Sequence, residues 1–338
     1  MSTMPFFQPS IQPLPADLNF QGQTIIVTGA SSGLGLEFSR QYLVRNASTL
    51  VLAVRNVSKG EKTKEALLTD PAISKSNTRA DIRVMQFDAE SYESTKRFVA
   101  QVKQELKQVH ILMLNAGANG VAYEQTRDGH EKTVQVNYLS NALLFFELLP
   151  LLEETAKQTG SPTRVSLTGS RMYDTGSLCK EPASTIPQHM LKFLDDPKNF
   201  KSFGRYGDSK LLVLLFIHRL GKFYGSDKVI VNTFCPGMVD TPMTKNLPWY
   251  LRVPVAALGT LRRARKVEHG GWVGLNAAAV AGRESHGQLI GDTKIEKIGA
   301  FYQSDAMRIL EERLWQDMIE EVARLSIVPE WAKMNKML

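Results

Sequence analysis

The sequence predicts an α/β protein: a doubly wound parallel sheet with helices on both faces. Two observations predict it. Short apolar runs alternate with helical patterns along most of the chain, and those runs are continuously apolar rather than interleaved with polar residues. Strands of that kind are buried on both sides, as in a parallel sheet wrapped by helices. Right-handed crossovers then wind the sheet in two directions.

The elements follow in order. TIIVT (Thr24–Thr28) is β-branched and ends in glycines, with a helical pattern over 33–45 behind it. TLVLAV (Thr49–Val54) is a second buried strand, followed by a polar helix over 58–68. A third strand over 82–87 leads to a helix over 92–107 with Phe98, Val102 and Leu106 on one side. Ile111–Leu114 is a fourth strand, and residues 131–156 read as one long helix that Pro150 bends or interrupts. Thr163–Thr168, a strongly apolar helix Arg205–Phe223 and a sixth strand over 229–234 continue the alternation. A last helix over 304–325 sets Leu310, Leu314, Met318 and Val322 at helical spacing. It caps the core or joins subunits, so a homo-oligomer stays open.

We expect one domain over 21–325, an amino-terminal arm over 1–20 and a tail over 326–338. Two segments break the rhythm: 171–203, with Pro182, Pro187 and Pro197, and 242–266, with Trp249 and Tyr250. Both leave the carboxyl ends of strands, where open α/β sheets bind ligands, and both read as pocket walls, the second as a lid.

Composition narrows the class. With 43% hydrophobic and 22% charged residues, the chain is neither collagen-like, nor disordered, nor a disulfide scaffold. Cys179 and Cys235 lie far apart, which suits a reducing compartment, and the six histidines form no HxxxH pair, so no metal site is expected. The amino-terminal residues lack the basic and apolar regions of a signal peptide. No apolar run approaches the roughly 20 residues of a membrane span. The expectation is a cytoplasmic protein without peripheral membrane contact. The net charge of +7 is mild. Its one dense basic run, Arg262, Arg263, Arg265 and Lys266, reads as a solvated face, and no nucleic-acid partner is expected.

The first strand runs into Thr28-Gly29-Ala30-Ser31-Ser32-Gly33-Leu34-Gly35. Glycines there allow a tight turn and let backbone amides approach a diphosphate at a helix N-terminus. In dinucleotide-binding folds an acid near the end of the second strand takes the ribose 2′-hydroxyl of NAD. This chain has Arg55 there, followed by Asn56. A guanidinium suits a 2′-phosphate, so NADP(H) is the expected cofactor, with Ser31, Asn56 and Lys59 as further contacts.

A Tyr-x-x-x-Lys pair puts a phenol and an ammonium on one helical face, and a nearby cation favours the phenolate. The spacing occurs three times, at Tyr92/Lys96, Tyr206/Lys210 and Tyr224/Lys228. Tyr92/Lys96 has no serine-bearing strand end before it, and Tyr224 and Lys228 fall on either side of a helix end; both read as structural. Tyr206/Lys210 opens a buried helix downstream of a strand ending in Thr168-Gly169-Ser170.

Taken together, these motifs resemble the short-chain dehydrogenase/reductases, close to their retinol-dehydrogenase-like branch and its fungal-type relatives. The resemblance spans residues from about 20 to 325. It rests on TGASSGLG at 28–35, Asp88 after the third strand and Asn115-Ala116-Gly117 after the fourth. It continues with Asp128-Gly129-His130-Glu131, Asn137 in VNYL, Ser170, Tyr206/Lys210 and Pro236-Gly237-Met238-Val239-Asp240-Thr241. The resemblance implies a Rossmann-type fold with Tyr206 as general acid/base, Lys210 lowering its pKa and binding the nicotinamide ribose, Ser170 polarising a carbonyl and Asn137 holding a relay water. It also implies Asp88 at the adenine, Asn115 in the cofactor crevice, and Val239 and Thr241 at the carboxamide and diphosphate. The gap from Ser170 to Tyr206 is wider than in compact members.

The expected function is NADP(H)-dependent hydride transfer between the nicotinamide and a ketone, aldehyde or alcohol. The apolar lid (Trp249, Tyr250, Leu251, Val253, Val255, Leu258) points to a hydrophobic small-molecule substrate, and the fungal flavour to specialised metabolism. The alternative is a non-catalytic Rossmann scaffold or nucleotide sensor, a class that usually loses the Tyr–Lys pair.

Overall fold

A computed structural model describes residues 8–240 and 264–333. Its centre is one sheet in the order β3-β2-β1-β4-β5-β6-β7-β8. The strands β1 (Thr24–Thr28), β2 (Thr49–Val54), β3 (Asp81–Gln86), β4 (Ile111–Leu114), β5 (Thr163–Thr168), β6 (Val229–Cys235) and β7 (Leu289–Gly291) run parallel, and β8 (Lys294–Ile295) returns antiparallel. Strand order reverses between β1 and β4, and the crevice of such a sheet opens at their carboxyl ends. The expected doubly wound sheet is the one observed. β7 and β8 were not expected, because strands this short carry no readable periodicity. They are joined through Asp292 and Thr293, both at positive φ.

The helices are α1 (Gly33–Val44), α2 (Val57–Leu68), α3 (Pro71–Ser76), α4 (Tyr92–Glu105), α5 (Lys132–Val134), α6 (Ser140–Thr159), α7 (Met190–Asp195) and α8 (Arg205–Phe223), followed among the described residues by Val267–Leu275, Gly299–Tyr302, the long carboxy-terminal helix Asp305–Ala323 and the short turn Glu330–Lys333. One face of the sheet is covered by α4, α6, α8 and the carboxy-terminal helix. The other is covered by α1, α2 and Val267–Leu275. The expected long helix over 131–156 is interrupted at a π turn, Gln135–Leu139, while Pro150 lies inside α6. Asn141 fills the widened turn by donating to the carbonyls of Val136 and Asn137.

Leu310, Leu314, Met318 and Val322 are buried in the core, so Asp305–Ala323 caps it. Residues 171–203 pack as a body. Asp208 of α8 accepts from the Leu178 amide and the Ser177 hydroxyl, and Asp317 of the carboxy-terminal helix accepts from the Leu191 amide at 2.8 Å. Residues 8–20 also lie against the body, with Ile11, Leu14 and Phe20 buried.

Candidate active site

β1 ends at Thr28, whose hydroxyl accepts from the amides of Asn115 and Ala116, each at 2.9 Å. The Asn115 side chain donates to the Thr28 carbonyl at 3.0 Å and accepts from Thr168 of β5 at 3.3 Å. Asn115 thereby ties three strand ends together at the point where strand order reverses. The turn beyond Thr28 is tight: Gly29 and Gly33 have φ of 66° and 55°, and a Cβ on Gly35 would lie 2.6 Å from Asn115 Nδ2. Ser32, the N-cap of α1, gives no side-chain hydrogen bond to the first turn, and that turn carries no acid. Its amides, from Gly33 through Leu34 and Gly35, are left to a ligand, and an anionic diphosphate fits them. Half-buried Ser31 lies in the same turn.

β5 delivers Ser170. Its hydroxyl accepts from the Met172 amide at 3.1 Å, capping a 3₁₀ turn, and lies close enough to the Tyr206 phenol to hold its pKa down. Tyr206 and Lys210 share one face of α8, with the ammonium 5.5 Å from the Tyr206 ring centroid. Lys210 is only 5% exposed and donates to the Thr168 carbonyl at 2.8 Å. Burial brings the Lys210 ammonium down to about 8, with Cys235 working the other way. Burial pushes the Tyr206 phenol well above its ordinary range; Cys235 adds to this, and the neighbouring Ser170 hydroxyl opposes it. In this arrangement the lysine is turned to Thr168, and burial rather than its charge sets the phenol's acidity. The widened gap leaves Ser170 against Tyr206.

Asn137 lies in the π turn, 1% exposed. Its side chain pairs both ways with the Ala118 backbone, at 2.7 and 2.9 Å, and donates to the Ser209 hydroxyl at 2.8 Å. These bonds take up the amide, so the side chain locks the loop after β4 onto α8. A Cβ on Gly117 would stand 3.2 Å from Asn137 Oδ1 and 3.9 Å from Lys210 Nζ. Asn115-Ala116-Gly117, Asn137 and Lys210 therefore converge.

At the other end of the crevice, the Arg55 side chain is 68% exposed and pairs with Glu90 at 2.8 Å. Such an open ion pair holds little energy, roughly 0–1 kcal/mol, and yields readily to a phosphate. Asn56 caps α2 by accepting from the Lys59 amide at 2.9 Å, and Lys59 is exposed. Asp88 accepts from the Glu90 amide at 3.0 Å, a local turn bond. Both side chains thus have the local duties of a cap and a turn.

The loop after β6 bends at Gly237, with φ of 80°. Val239 and Leu34 of the glycine turn lie together over Gly270, where a Cβ would be 2.9 and 2.7 Å from them. Thr241 and residues 242–263 of the expected lid lie outside the described residues.

One expectation is corrected here. Arg265, read as part of a solvated basic face, is 5% exposed. It donates to the Pro236 carbonyl at 2.9 Å and pairs with Asp292. Asp292 also holds Arg171, the neighbour of Ser170, at 2.6 Å. Nothing in the spacing of these three residues announces the network; only the fold brings them together.

Comparison with known proteins places the chain among its relatives. A family profile described as short chain dehydrogenase matches residues 23–172. The short-chain dehydrogenase/reductase tropG of Talaromyces stipitatus is 44% identical over 324 residues, 96% of this chain and 98% of that one. The short chain dehydrogenase macD of Penicillium terrestre is 44% identical over 322 residues, 95% and 97% of the two chains. Among solved structures, the Pseudomonas aeruginosa RhlG/NADP active-site complex superposes with a TM-score of 0.60 at 22% identity, covering 82% of this chain and 97% of that one. The 3-ketoacyl-(acyl-carrier-protein) reductase from Brucella melitensis complexed with NADH gives 0.59 at 16% identity, over 81% and 97%. With a glycine turn at the switch point, a serine at the end of β5 and a Tyr–Lys pair opening α8, this chain belongs to the short-chain dehydrogenase/reductase family and has fungal relatives.

Proposed function

We propose that this oxidoreductase uses NADP(H) to interconvert a ketone or aldehyde and the corresponding alcohol on a hydrophobic small molecule. The observation that carries the proposal is the convergence of Ser170, Tyr206 and Lys210 beside the uncapped first turn of α1. When bound, the cofactor supplies or accepts the hydride. Ser170 holds the substrate oxygen, Tyr206 donates its proton to that oxygen as negative charge develops, and Lys210 keeps a positive charge one helical turn away. A phenol held above its ordinary range favours the protonated form, which suits the reduction direction.

Arg55 supports the choice of NADP(H): it is exposed just past the end of β2, in an open ion pair with Glu90. Parallel titrations with NADPH and NADH test it. We expect NADPH to bind more tightly, and Arg55→Ala to remove about one to two powers of ten of that preference, the range of a charge-assisted phosphate contact. Equal affinities in the unmodified protein would overturn the assignment. The hydrophobic-substrate reading rests on the lid residues 247–261; a screen that returns only small polar carbonyls would overturn it. The fungal relatives support a role in specialised metabolism. Among the described residues no helix is long and apolar enough to cross a membrane, which is compatible with the cytoplasmic location we infer.

A further inference from the structure

The amino-terminal segment reaches across the molecule to the loop after β6. The Gln8 side chain donates to the Met238 carbonyl at 2.9 Å and accepts from the Met238 amide at 2.7 Å, as a neighbouring strand would. The next residue takes part too: Arg265 donates to the Pro9 carbonyl at 3.0 Å and to the Pro236 carbonyl at 2.9 Å, so one buried guanidinium spans segment and loop. Gly237 lies beneath both, and a Cβ there would run into Gln8 Oε1 and stand 2.5 Å from Arg265 Nη1. Ile11 and Leu14, 7% and 8% exposed, anchor the segment to the core just behind Gln8. The anion that balances Arg265 is Asp292, which also holds Arg171 beside Ser170. Loop, segment and catalytic strand end are therefore fastened to one network.

We propose that Gln8 is a positioning residue of the cofactor site, its segment acting as a strap that fixes residues 236–239 in the conformation that receives the nicotinamide end. This rests on the reading of that loop as a cofactor contact. The strap acts on affinity rather than chemistry, because Gln8 holds the backbone of the loop at Met238.

The test uses the full chain carrying Gln8→Ala or Gln8→Glu. Hydrogen exchange at the Met238 amide reads the strap directly, and NADPH titration with kcat and KM reads its consequence. We expect Gln8→Ala to speed that exchange and to weaken NADPH by about tenfold, the scale of one to two net hydrogen bonds. Saturated kcat should stay within about twofold, as for loss of uniform binding. Gln8→Glu retains the acceptor for the Met238 amide and should recover part of the affinity. Unchanged exchange and affinity would overturn the strap, as would an affinity loss that merely tracks a lowered melting temperature. If the unmodified protein binds no nicotinamide nucleotide, the cofactor reading fails and takes this proposal with it. If it binds and Gln8→Ala binds equally, the strap alone fails.

Discussion

Helix α8 opens with Tyr206/Lys210, and the same spacing recurs at Tyr224/Lys228 just past its end, with opposite outcomes. Tyr206 and Lys210 lie inside the helix on one face, with Ser170 and the Thr168 carbonyl as partners. Tyr224 is the residue after the helix, in extended backbone, and Lys228 precedes β6. Both of the latter reach one carboxylate: the Tyr224 hydroxyl donates to Glu153 at 2.9 Å and Lys228 Nζ lies 3.5 Å from it. Burial and then Glu153 hold the Tyr224 phenol far above its ordinary range, and no positive charge is left over to favour a phenolate. Spacing therefore does not make a site. Helical phase, the absence of a competing carboxylate and the carboxyl end of the sheet do.

The largest test of that difference is Tyr206→Phe. Losing a positioned general acid costs about two to four powers of ten in rate, while NADPH affinity should stay within about twofold. Turnover and cofactor titration on the same preparation check both. A Tyr206→Phe enzyme of unchanged kcat would mean that proton transfer runs elsewhere.

The next test is pH. Lys210, brought down to about 8 by burial, is charged below that value and neutral above it. The Tyr206 phenol stands higher and keeps its proton through this window. Carbonyl reduction should therefore fall as pH rises through about 8. In Lys210→Arg the cation persists at all these pH values, so the reductive knee should vanish even if the rate drops. A flat reductive profile in the unmodified enzyme would separate Lys210 from catalysis.

Catalytic and structural ends also differ in how much of each was legible in the sequence. Strands β1 to β6 and Arg205–Phe223 were readable because buried parallel strands and an apolar helix leave local patterns. Ser170, Tyr206 and Lys210 were readable because strand end and helix start carry them. Gln8 and Met238 were not, being 230 residues apart in segments with no periodicity. Arg265 was misread because a basic run looks the same whether solvated or buried against Asp292. The π turn at Gln135–Leu139 was hidden because its letters suit an ordinary helix.

The body beside the catalytic end has its own titrating joint. His130 Nδ1 meets Asp195 of α7 at 2.8 Å and Nε2 meets Glu321 of the carboxy-terminal helix at 3.2 Å. Burial alone would lower the imidazole's pKa, but the two carboxylates outweigh it and push it up to about 9. A folded value above the unfolded one, about 6.5, means the stabilisation is fully present below that pH and is lost as pH rises through 9. Its size is on the order of a few kcal/mol. Melting temperatures between pH 6 and 9.5 should fall more steeply in the unmodified protein than in His130→Gln. Parallel curves would show that the joint carries no linkage.

The smallest effect lies at the structural pair. Tyr224→Phe deletes the hydroxyl that meets Glu153 but keeps the ring, whose centroid packs 5.0 Å from that of Trp331. Glu153 is a third exposed and still faces Lys228, so it regains water and keeps a counter-charge. The loss should be that of one ordinary hydrogen bond, about 1 kcal/mol of unfolding free energy. Turnover should not move, because Tyr224 caps the far end of α8 from Tyr206. Denaturant unfolding and kcat measured together decide it. A fall in kcat comparable with that of Tyr206→Phe would mean the two pairs are coupled along the helix, and the division drawn between them would not stand.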